Sequence, residues 1–76
     1  MVRYRDMSLS YNGLWKLLID KNMNKMDLMK YVGISGGTVA KMTRGEPVSM
    51  TILMKICDKL HCDIGDIVNY VEDPKE

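Results

Sequence analysis

The chain has 76 residues, of which 46% are apolar and 28% charged, and its net charge at pH 7 is +1. That length fits one small domain spanning residues 1–76, and the composition is too apolar for a disordered chain. No apolar run approaches the roughly 20 residues that cross a bilayer, and the opening Met-Val-Arg-Tyr-Arg-Asp lacks the apolar stretch of a secretory signal, so a cytoplasmic protein without membrane contact is expected.

Val2–Arg5 alternates apolar and basic residues and predicts a short strand or extended arm. A first helix is expected over about Tyr11–Asn22, where Leu14, Leu17 and Leu18 form one apolar stripe that Trp15 and Ile19 widen. Asn24 is a good N-cap with Asp27 three residues on, a capping-box spacing, and it opens a second helix over Lys25–Val32 with Leu28 and Val32 inward. Gly33 ends that helix as a left-handed residue. Ser35 caps a third helix reaching Arg44, with Val39 and Met42 on its buried side, and Gly45 supplies the second stop.

Glu46-Pro47-Val48 reads as a turn because proline removes a donor and restricts the residue before it. Ser49 caps a fourth helix through Leu60, with Leu53, Ile56, Cys57 and Leu60 inside. Asp63 caps a short fifth helix over Ile64–Val68, and residues 69–72 are extended. Their alternation mirrors residues 2–5, so the two ends are expected to pair as a two-stranded ribbon. The eight methionines read as adaptable core filler.

The small net charge hides an uneven distribution. Residues 21–45 hold Lys21, Lys25, Lys30, Lys41 and Arg44 against Asp27, a local +4, whereas residues 46–76 set three lysines against seven acids, a local −4. A basic middle segment suits phosphates. Catalysis is disfavoured, because His61 is the only histidine and so small a chain buries only about 60% of its unfolded surface. Cys57, His61 and Cys62 do not match structural zinc spacing, so neither metal nor cofactor is expected. Cys57 is read as core and His61 as a helix C-terminal residue.

Residues 24–45 give helix, glycine turn, helix in about twenty residues, the description of a helix-turn-helix. Asn24-Lys-Met-Asp-Leu-Met-Lys-Tyr-Val-Gly-Ile-Ser35, then Thr38-Val-Ala-Lys-Met-Thr-Arg-Gly45, then Ser49, Leu53, Lys55-Ile56 and Leu60 resemble the Cro/C1-type (XRE family) helix-turn-helix of phage repressors and bacterial regulators. The likeness covers about residues 11–68 and is closest to small stand-alone members ending in a Cys-Asp-Ile-Gly-Asp-Ile segment, here Cys62–Ile67.

The resemblance implies an all-α, five-helix repressor-like domain, a transcriptional regulator, and double-stranded DNA bound as a homodimer, with RNA polymerase or another regulator as a further partner. Carried over residue by residue, it makes Lys25 a phosphate anchor and Ser35 the cap whose hydroxyl and neighbouring amides approach phosphate. The two positions that often read bases are Gly36 and Gly37, a departure from the pattern. Base contacts then fall to Thr38 and Lys41, with Thr43 and Arg44 beside them. Met29 replaces the small residue usual where the helices cross, implying a slightly splayed crossing. An arm carrying Arg3 and Arg5 is a second source of DNA contacts. A protein-interaction module of antitoxin or antirepressor type, using the same fold, is the competing expectation.

Overall fold

The computed structural model describes residues 7–72. Strand β1 (Met7–Ser10) leads into α1 (Asn12–Asp20), followed by α2 (Lys25–Leu28), which continues through one π-helical turn (Met29–Gly33). Then come α3 (Gly36–Thr43), α4 (Met50–Leu60), α5 (Ile64–Ile67) and strand β2 (Asn69–Glu72). The strands pair antiparallel, with Met7 opposite Glu72 and Ser10 opposite Asn69.

The expected five helices and closing ribbon are present, and the C-terminal strand falls on the expected residues. Its partner is Met7–Ser10; the expected strand at Val2–Arg5, with Arg3 and Arg5, lies outside the described residues. Met-Ser-Leu-Ser alternates as well as Val-Arg-Tyr-Arg does, so periodicity alone does not separate them. Met7–Ser10 is also docked on the helices: the Leu9 amide donates to the Gly45 carbonyl at 3.2 Å, and Gly45 sits at φ +75° with Leu9 close against it.

One apolar cluster holds the helices together. Leu14 and Leu18 of α1 meet Leu28, Val32, Ile34, Val39 and Met42 of the central segment, and Leu53, Ile56, Leu60 and Ile67 close the other side. Each such side chain contributes about 1.5–3 kcal/mol on full burial. Tyr11, expected only as the start of a helix, is a core residue at 2% exposure. Its hydroxyl donates to the Glu46 carbonyl at 2.9 Å, giving the buried phenol the partner it needs. Burial raises its pKa above the ordinary value, and a backbone hydrogen bond at Val48 acts against that rise.

Two side-chain expectations are corrected. Ile19 does not widen the α1 stripe; it is 71% exposed, and the last turn of α1 packs through Leu18 and Leu17 instead. The reading of the methionines as core filler holds only in part: Met42 is buried and Met23 and Met29 pack partly against the core, while Met26, Met50 and Met54 face solvent.

Glycine 13 has a role that its local sequence does not announce. A Cβ at this position would run into the carbonyl oxygen of Asp66, so the missing side chain is what lets α1 lie against α5. That helix starts as expected at Asp63, whose amide donates to the Asp66 carboxylate at 2.9 Å.

At the end of α4, His61 adopts a left-handed conformation (φ 55°) and the Cys62 amide reaches back to the Cys57 carbonyl at 3.1 Å. This closure brings the two free thiols together, and burial first, then Cys57, pushes the Cys62 thiol up to about 11. An unfolded thiol titrates near about 8.5. Between these values the folded chain holds its proton more tightly, so stability falls as pH rises through this window. The urea midpoint is expected to drop between about pH 8 and about pH 10.5, and Cys62→Ser to flatten that drop; an unchanged slope in the variant would contradict the assignment.

Candidate nucleic-acid interface

The helix-turn-helix is assembled from local signals that the structure bears out. Asn24 accepts from the Asp27 amide at 2.8 Å and its own amide donates to the Asp27 carboxylate at 3.0 Å, a reciprocal cap for α2. The helix then widens, the Ile34 amide reaching back five residues to the Met29 carbonyl at 3.2 Å. Gly33 turns the chain at φ +85°, and Ile34, buried, anchors the corner. Ser35 opens α3 by accepting from the Thr38 amide at 3.1 Å. The bulky Met29 has a defined place: its terminal methyl lies 3.5 Å from where a Gly36 Cβ would be.

Val39 and Met42 bury one face of α3. Gly37, Lys41 and Arg44, at four- and three-residue spacing, are exposed on the face turned away from them; Ser35, Gly36 and Thr43 are exposed nearer the packed side, and Thr38 is half-buried. The residues expected to contact DNA on this helix are thus all exposed except Thr38, but they are spread around it, with Thr43 turned towards Lys25 of α2. Neither glycine is demanded by packing. A Cβ at Gly36 or Gly37 would meet only ordinary contacts, at 3.5 and 3.8 Å, and the backbone of the first turn stands open.

The charged residues differ in how free they are. Lys41 makes no ion pair among the described residues. Arg44 is paired through Nε with the Glu46 carboxylate at 2.7 Å; the mutual hydrogen bond raises the arginine's pKa and lowers that of Glu46. Lysine 25 is exposed at the start of α2, yet its ammonium donates to Thr43 Oγ1 at 2.9 Å. Neither the Arg44 pairing nor the Lys25 contact was foreseen. The first was signalled by the two-residue spacing Arg-Gly-Glu; the second joins positions eighteen residues apart.

Two helices set at a glycine corner, the second with a capped N-terminus and a polar outer face, define a helix-turn-helix DNA-binding domain. Residues 13–73 match the model of the Cro/C1-type helix-turn-helix DNA-binding domain, and the chain belongs to that family. It is a DNA-binding regulator. Its structure is similar to the crystal structure of the transcriptional regulator VanUg, with a TM-score of 0.83 and 46% sequence identity over 95% of this chain and 96% of that one. The likeness to small members of the family that the Cys62–Ile67 segment suggested is thus a likeness to a VanU-type regulator. No curated protein matches the chain. No helix among the described residues is long and apolar enough to cross a membrane.

Proposed function

We propose that the protein recognises specific duplex DNA sequences as a homodimer, with α3 entering the major groove of each half-site. The observation that carries this reading is the exposed face of α3. Its first turn offers bare backbone at Gly36 and Gly37 beside the Ser35 cap, a suitable approach to a phosphate. Lys41 and Thr38 then lie where a groove about 12 Å wide would receive base-reading side chains. Thr43 and Arg44 flank them, and Lys25 supplies a phosphate contact from α2 with the donors that Thr43 leaves free. Exposed Tyr70 and Val71 on β2, with the rest of residues 64–71, are the proposed dimer surface, placing two recognition helices about 34 Å apart on one face of the duplex.

Fluorescence anisotropy with DNA from upstream of its own gene tests the reading. Binding at low salt that weakens steeply as salt rises is expected, because each neutralised phosphate returns its counterion. An absence of binding at low salt to that DNA would turn the reading towards a protein partner.

The glycine pair gives a sharper test. In a helix, glycine to alanine gains about 1 kcal/mol when nothing clashes, so Gly36→Ala and Gly37→Ala are expected to raise the melting temperature. Close backbone approach makes them lose DNA affinity at the same time. Variants that are more stable and bind as well as wild type would show that the glycines do not serve contact.

A further inference from the structure

Trp15, Lys25 and Thr43 come from three different helices and meet at one ammonium group. Lys25 Nζ donates to Thr43 Oγ1 at 2.9 Å and lies 4.5 Å from the centroid of the Trp15 ring. The Thr43 hydroxyl in turn donates to the Val39 carbonyl at 3.0 Å. The result is a directed chain, ammonium to hydroxyl to carbonyl, in which the hydroxyl uses its single proton and one lone pair. Thr43 is the last residue of α3, at the end where a helix carries its partial negative charge and favours a nearby cation. That cation is delivered by a residue eighteen positions away.

The geometry points to Lys25 as a positioning residue for the recognition helix: its ammonium, held between the Trp15 face and the Thr43 hydroxyl, pins the C-terminal end of α3 to α1 and α2. The inference rests on the reading that α3 enters DNA. At its other end α3 is fixed by the Gly33 corner, buried Ile34 and the Ser35 cap. At the C-terminal end buried Met42 and the Leu9–Gly45 hydrogen bond hold the inner side, and the Lys25 contact adds a directional restraint on the side that faces α1 and α2. The contact is exposed, so its contribution to global stability is small. A loosely held binding element, however, loses affinity with little loss of fold.

Trp15 is the only tryptophan in the chain, so its emission reads the contact directly. Lys25→Met and Thr43→Val are each expected to shift that emission in the DNA-free protein, and the double variant to shift it no further than the larger single change. Thr43→Ser, which keeps the hydroxyl, should retain wild-type emission. On DNA, each of the first two variants is expected to lose about 3- to 10-fold in affinity, with the double variant losing much less than the product of the two.

Lys25→Met also lowers the salt slope by about one if the lysine meets a phosphate, whereas Thr43→Val leaves that slope intact. Unchanged Trp15 emission in Thr43→Val, or affinity losses that simply multiply, would overturn the inference. Should wild type bind no DNA, the proposed function fails while the emission measurements still decide the contact: coupled shifts retain it and independent ones remove it.

Discussion

Gly13→Ala is expected to lower the melting temperature by roughly 12–24 °C, taking about 3 kcal/mol of destabilisation at 4–8 °C per kcal/mol for a domain of this size. The sign is the informative part. On helix propensity alone, alanine in α1 should stabilise by about 1 kcal/mol. Against that stands the Asp66 carbonyl, into which the new Cβ would project. An oxygen of the main chain is not the end of a flexible side chain and does not swing aside. It moves only with α5, and α5 is anchored through buried Ile67. Steric exclusion wins over propensity. Thermal unfolding followed by far-ultraviolet circular dichroism checks this, and a Gly13→Ala variant as stable as wild type would mean that α1 and α5 do not approach so closely.

Lys41→Ala is expected to cost about 10- to 100-fold in affinity for the cognate DNA, equivalent to 1–3 kcal/mol, and to relax discrimination at one base pair. The fold should be unaffected, since Lys41 faces solvent while Val39 and Met42 carry the packing of α3. Arg44→Ala should cost less, because its charge is already balanced by Glu46 at 2.7 Å. For the same reason Glu46→Gln, which frees Arg44 and removes a negative charge beside the contact surface, is expected to tighten binding. Titrations at a single salt concentration give the order of the three variants. Equal losses for Lys41→Ala and Arg44→Ala would show that the ion pair opens on DNA.

Most of the architecture could be read along the chain because it is written in near neighbours. The Asn24–Asp27 cap, the Ser35 and Ser49 caps and the Gly33 corner each depend on residues no more than three positions apart, and each is found where the spacing places it. What escaped the sequence depends on distant partners. Tyr11 becomes core because Glu46 offers a carbonyl thirty-five residues away. Gly13 matters because of Asp66, and Lys25 is occupied because of Thr43. The partner of β2 is Met7–Ser10, which is tied to the helices by a hydrogen bond from Leu9 to Gly45, thirty-six residues away. The exposed face of α3 was legible in outline, from Val39 and Met42 fixing its inner side. The neutralisation of Arg44 was not, because a turn had to bring Glu46 back onto it.

The approach of α1 to α5 also bears on the order in which the domain assembles. Joining Ser10 to Asn69 directly from an unfolded chain would close a loop of nearly sixty residues, an entropic charge that grows with the logarithm of loop length. Once the helices have docked through Gly13 and Asp66, those two residues are each only three positions from a point already held. The ribbon then zips at the cost of ordering a few residues. It is therefore a late and inexpensive addition to the folding reaction, and its amides should be among the first to exchange with solvent while the helical centre stays protected.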